Sequence, residues 1–182
     1  MFDTYYYEFQ DPYNIKNNRN AFNTDRFSYN CAGYALGTFS WYVPYDMDDC
    51  YELDELRDEL QHCRFQIIGS DDKEKDYILR QCDNIRSEIT KIYVQQMLFD
   101  FAGLRVISNF SEVDKNERII LFRVSDDGND FHYIWSDDGK QWRHKMGSSI
   151  LEDYDAEYIF DDWIAHDRFV YNGEIIIFAL RM

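Results

Sequence analysis

The periodicity of this chain changes once, at Leu104, and that change constrains its fold more than any other feature. Before it, Cys50, Leu53, Leu56, Leu60, Cys63 and Ile67 recur at intervals of three and four within residues 47–67. Such spacing draws a stripe along one helical face. "GSDDKEK" interrupts the stripe with a glycine turn and a fresh N-cap. Residues 72–102 resume it through Ile78, Cys82, Ile85, Ile89, Ile92 and Leu98 or Phe99. Two stripes joined by a short turn predict an antiparallel helical hairpin.

After Leu104 the apolar runs are short, β-branched or aromatic, and separated by Asp, Gly and Ser. "LRVIS", "RIILFRV", "DFHYIW", "QWRHKMG" and "GEIIIFAL" predict an antiparallel sheet. "LEDYDAEYIFDDWIAHDRFVYNG", between the last two, reads as mixed helix and loop. Helices followed by a meander give an α+β chain. Its 182 residues suit one domain, 1–182, with the hairpin of 47–102 inserted within it. Residues 1–29, rich in Tyr and Asn, read as irregular structure with one short strand.

Charge limits the partners. A formal net charge of −16 repels phosphate backbones and anionic lipid, so nucleic-acid binding and membrane-surface attachment are not expected. No run approaches the ~20 apolar residues of a membrane span. "MFDTYYYEFQDPYN" has neither a basic n-region nor an apolar h-region. The expectation is a cytoplasmic chain whose four cysteines stay reduced. No C-x-x-C spacing occurs, and no metal or other cofactor is expected. The charged outer faces of the hairpin read as solvated surface or as a docking face for a protein partner.

One cysteine stands apart. Cys50, Cys63 and Cys82 occupy apolar positions of the stripes, where cysteine is a small hydrophobe. Cys31 instead opens a short helical pattern in "SYNCAGYALG", with Asn30 as N-cap, Ala32 and Gly33 crowding it, and Gly37 ending it. A cysteine at a helix start gains thiolate character from the free N–H groups there.

A base for it is available in "DFHYIWSDDGKQWRHKMG", residues 130–147. "SDDGK" fits a three-residue hairpin loop with Gly139 in the left-handed position. Counting back from that loop sets His132 opposite His144. Alternation then places Asp130, His132, Ile134, Trp142, His144 and Met146 on one face, with Phe131, Tyr133, Trp135, Arg143 and Lys145 on the other. Facing residues have Cβ atoms about 5 Å apart, close enough for two rings to orient one another.

"NCAGYAL" resembles the nucleophile motif of NlpC-type cysteine peptidases, in which Asp or Asn precedes the Cys and a small residue, Gly and an apolar helix follow. "FHYIW" is similar to their histidine motif. In that family a third polar residue, often His, follows about a dozen positions on, and His144 lies there. The resemblance covers residues 28–40 and 104–146 and the closing strand. It implies a papain-like core, a Cys-bearing helix packed on an antiparallel sheet, and a Cys31–His132–His144 triad acting on an amide or isopeptide bond of a peptide or protein.

In that reading Cys31 attacks the carbonyl, His132 takes the thiol proton, and His144 orients His132. Asn30 and Asp130 are further oxyanion or orienting candidates, and the Cys31 backbone N–H is an oxyanion donor. Deamidation or acyl transfer suits the same groups. Two rival readings remain. One is a non-catalytic binding or inhibitor protein on the same fold, acting through the hairpin and the acidic surface. The other is a metal site built from Cys31, His132 and His144.

Overall fold

The structure, a computed structural model, describes residues 29–38, 41–44, 50–145, 151–155, 171 and 173–182. Among these the elements are α1 (Cys31–Ala35), α2 (Tyr51–Gln66), α3 (Asp72–Asp100), β1 (Leu104–Ile107), β2 (Glu117–Val124), β3 (Phe131–Ser136), β4 (Gln141–Lys145), β5 (Leu151–Asp155) and β6 (Ile176–Arg181). A short 3₁₀ turn, Phe110–Glu112, leads from β1 to β2. The chain is α+β, as the order of its patterns predicts. The expected short strand near the N-terminus falls in residues 1–28, outside the described residues.

Both long helices form where the stripes predict. Asp71 caps α3, its carboxylate accepting from the Lys73 and Glu74 amides at 3.0 Å. Acidic residues in the first turn of each helix complement the helix dipole. The stripe on α3 differs from the expected one at its far end. Tyr93 and Met97 are buried there, whereas Leu98 and Phe99 are exposed and Ile92 is half-buried. The cause is a change of neighbour along a 29-residue helix. Each step of four residues turns the apolar line by about 40°. The line therefore leaves α2 and comes to face the sheet, where Tyr93 meets Phe122 and Phe131, and Met97 accepts a hydrogen bond from the Tyr133 hydroxyl.

The sheet runs β1-β6-β2-β3-β4-β5, and every neighbouring pair is antiparallel. One face presents Ile120, Phe122, Val124, Phe131, Tyr133, Trp135 and Phe178. These share a single core cluster with Leu53, Leu60, Ile89, Tyr93 and Met97 of the helices. The hairpin inserted in the sequence is thus the second layer of the main core. The opposite face carries a smaller cluster, Ile119, Leu121, Ile134 and Trp142, covered by Phe110, Val113, Ile175 and Ile177. Among the described residues no helix is long and apolar enough to cross a membrane.

Two expectations for the sheet are corrected. "LEDYD", read as part of a helix-and-loop segment, is strand β5, paired along β4 from Lys145↔Leu151 to Gln141↔Asp155. Its acidic residues hid the apolar alternation of an interior strand, and charge of this kind is what an edge strand tolerates. The β3–β4 hairpin is also shifted by two residues: His144 pairs with Ile134, not with His132. The loop is wound by its own side chains. Ser136 Oγ accepts from the Gly139 amide at 2.9 Å and donates to Gln141 O at 2.6 Å. Asp138 accepts from the Lys140 and Gln141 amides at 2.8 and 3.0 Å. A shift by two preserves which residues share a face. His132 and His144 are therefore diagonal neighbours on the face expected for both.

Candidate functional site

Asn30 and the short helix α1 set the position of Cys31. The Asn30 side chain accepts from the Gly33 amide at 3.0 Å and the Tyr42 amide at 3.3 Å, and donates to Tyr42 O at 2.7 Å. It caps α1 and ties it to residues 41–44, so its amide serves the backbone. At the other end, Arg118 donates to Ala35 O at 3.1 Å while its guanidinium stacks 3.6 Å over Trp135. Arg118, on β2, thus ties the end of α1 to β2 and to Trp135 of β3.

The thiol meets the backbone of β3. Cys31 Sγ lies 3.8 Å from Phe131 O, the carbonyl that leads into His132. Among the described residues no hydrogen bond joins Sγ to an imidazole. The side chains diverge because they belong to different faces. Cys31 sits in the cluster with Phe131, Tyr133 and Trp135, and His132 projects on the side of Ile134.

The two histidines do meet. His132 Nε2 and His144 Nδ1 are 2.9 Å apart, with the ring planes nearly perpendicular. One nitrogen must donate and the other accept, which fixes complementary tautomers. If Nε2 of His132 carries the proton, its Nδ1 is the basic nitrogen. Asp130 does not orient His132 through a hydrogen bond. Its carboxylate accepts from the Phe131 amide at 2.8 Å and from the Tyr171 hydroxyl at 2.8 Å. The Tyr171 ring in turn lies against His132, with centroids 5.5 Å apart and planes at 31°.

Burial governs the ionisation of the site. Cys31 is 5 % exposed and His132 1 %. Burial pushes the Cys31 thiol up to about 12. The Tyr133 amide opposes this, the Asp130 charge adds to it, and the amides of Ala32 and Cys31 oppose it weakly. Burial likewise pulls His132 down to about 3, helped by the neighbouring His144. Thiol and imidazole are both neutral in this closed arrangement. A helix of five residues has too few aligned peptides to reverse the desolvation.

The metal reading lacks a donor set. Among the described residues no group of three His, Cys, Asp or Glu converges as metal ligands do. The two ring nitrogens nearest one another are already paired, and the thiol faces a carbonyl.

Several functional groups were not singled out from the sequence. Tyr171 stands in a segment with no periodic pattern, so nothing marked it. Arg57 and Arg86 carried a signal, since each is a charge on an otherwise apolar stripe. They are buried, and together with Arg64 they hold the β2–β3 turn that leads into the histidine strand. Arg57 donates to Gly128 O at 3.1 Å and to the Tyr93 hydroxyl at 2.5 Å. Asp126 pairs with Arg64 at 2.7 Å and Arg86 at 2.6 Å. Comparison with known proteins adds no relative, for no family model, no curated protein and no solved structure matches the chain.

Proposed function

We propose that this chain is a cysteine hydrolase of the papain-like, NlpC-type kind, cleaving an amide or isopeptide bond in a peptide or protein within the cytoplasm. One observation carries the reading: His132 Nε2 is engaged by His144 Nδ1 at 2.9 Å, on the strand whose Phe131 carbonyl receives the Cys31 thiol. With the proton on Nε2, that bond commits one ring nitrogen to orientation and leaves Nδ1 as the base.

Reaction requires the site to open and admit water or substrate, because closed burial keeps the thiol protonated. Because Sγ and the His132 ring lie on different sides of β3, the thiol proton reaches His132 Nδ1 through an admitted water as Cys31 Sγ attacks the carbonyl carbon. The amides of Cys31, Ala32 and Tyr133 already lie close enough to Sγ to favour negative charge there, and they are the donors available to the oxyanion. Collapse of the tetrahedral intermediate expels the amine, which takes the proton from His132. Water attacks the thioester carbonyl and gives its proton to His132; the C–S bond then breaks, the acid leaves, and the Cys31 sulfur takes that proton back.

The rival reading, a non-catalytic binding protein, draws on the burial and neutrality of the same groups. Labelling separates the two. With a vinyl sulfone probe and peptide mapping, Cys31 is expected to react faster than Cys63 and Cys82, which are also buried but have no imidazole strand beside them. His132→Ala is expected to slow Cys31 labelling by roughly a hundredfold, with the circular dichroism unchanged. His144→Asn is expected to retain more reactivity than His144→Ala, since an amide oxygen can accept the ring N–H. Cys31 labelling no faster than that of Cys63 and Cys82 rejects the hydrolase.

A further inference from the structure

A groove of about 520 Å³ opens between α2 and α3 near the turn that joins them, away from Cys31 and the histidines. Gln61 and Phe65 of α2 line one wall, Ile68 of the following turn extends it, and Leu79 and Cys82 of α3 line the other. Phe65 is 63 % exposed and Ile68 79 % exposed. Arg64, Arg86 and Asp126 also line the groove; Asp126 pairs with Arg64 at 2.7 Å and Arg86 at 2.6 Å, and Asp83 pairs with Arg86 as well, so two carboxylates match the two guanidiniums. Each guanidinium on the groove wall therefore has a carboxylate partner.

The same helical faces turn acidic away from the groove. On α2 the line through Phe65 and Gln61 continues to Asp58 and Asp54. On α3 the line through Leu79 continues to Asp76 and Asp72 on one side and Asp83 on the other. Lys75 and Arg80 offset part of this charge, and Asp83 and Asp54 are paired with Arg86 and Arg57. We infer that this groove is a docking site for a basic amphipathic helix of a partner protein, its apolar side seated between α2 and α3 and its Lys or Arg residues against Asp58, Asp72 and Asp76. A two-helix groove with apolar walls fits a third helix presenting residues at i, i+3, i+4 and i+7. Charge complementarity selects the basic kind and repels a second copy of this chain, whose own net charge is −16. The proposal stands on the hairpin alone and holds whether or not Cys31 reacts.

A fluorescein-labelled 20-residue Leu/Lys peptide with helical spacing, titrated with the full chain at 150 mM NaCl and read by anisotropy, tests it. Saturable binding is expected below about 100 μM. A scrambled peptide of the same composition, and a Leu/Glu peptide, are each expected to bind at least about tenfold more weakly. Phe65→Ser with Ile68→Ser, at exposed positions, is expected to weaken the Leu/Lys peptide by a similar factor, as is Asp58→Lys with Asp76→Lys. Equal binding of the scrambled peptide means charge attraction alone and overturns the proposal. So does binding unchanged in the Phe65 and Ile68 variant, or no saturation. A dimer in sedimentation that this variant abolishes makes a second copy the occupant, and overturns it too.

Discussion

His132 shows how far a residue's surroundings override its type. The sequence marks the chemistry that this imidazole, its partner His144 and the thiol of Cys31 can do. It does not mark their ionisation, which depends on how completely folding removes water. The helix start does favour a thiolate, but burial is the larger effect and leaves Cys31 neutral. A testable consequence follows for stability. The folded pKa of His132, about 3, lies below the ordinary 6.5, so the unfolded chain takes up this proton first as pH falls. The contribution is fully present above pH 6.5 and is lost progressively as pH falls towards 3, with a slope of up to about 1.4 kcal/mol per unit. His132→Gln removes that proton uptake. Urea unfolding at several pH values between 7 and 4 is expected to show a steeper loss for wild type than for the variant. Equal slopes mean that His132 titrates normally in the folded chain.

At the scale of elements, local chemistry was legible and pairing distances were not. Asn30 and Asp71 cap their helices as their residue types predict. Gly139 takes the left-handed conformation read from "SDDGK". The register of that hairpin escaped because Ser136 and Asp138 bond into the loop and lengthen it, a competition that strand alternation cannot reveal. The spacing marks the buried line of α3 where one neighbour, α2, defines it, and departs from it at Tyr93 and Met97, where the sheet takes over. The β2–β3 turn escaped altogether, since its role lies in long-range contact with the hairpin. Gly128 sits there with φ +73, and a Cβ would come within 2.7 Å of Ile89 Cδ1 and 3.3 Å of Leu60 Cδ2. Gly69, in the α2–α3 turn, has φ +96 and open space around it. Gly69→Ala therefore incurs backbone strain of about 1 kcal/mol. Gly128→Ala adds overpacking of about 1–3 kcal/mol to a similar strain. Denaturant midpoints are expected to rank wild type, Gly69→Ala, Gly128→Ala. Equal losses would mean that the turn is not wedged between the helices.

For the whole molecule the question is whether hairpin and sheet fold as one body. In sequence the hairpin looks dispensable, an insertion between Cys31 and His132. In space it covers the sheet face that bears Phe122, Phe131 and Tyr133, and no separate core lies between its own helices: Leu60, Ile89 and Tyr93 belong to the cluster of the sheet. Arg57, Arg64 and Arg86 fasten it to the turn before β3. A layer whose apolar side is shared cannot unfold alone without exposing the other. Helix content read at 222 nm and the fluorescence of Trp135 and Trp142, both buried in β3 and β4, are therefore expected to change together in urea. Leu60→Ala, at a fully buried helical position, is expected to cost about 2–5 kcal/mol and to move both signals equally. Were the hairpin a separate unit, Leu60→Ala would shift the helical transition and leave the tryptophan transition in place.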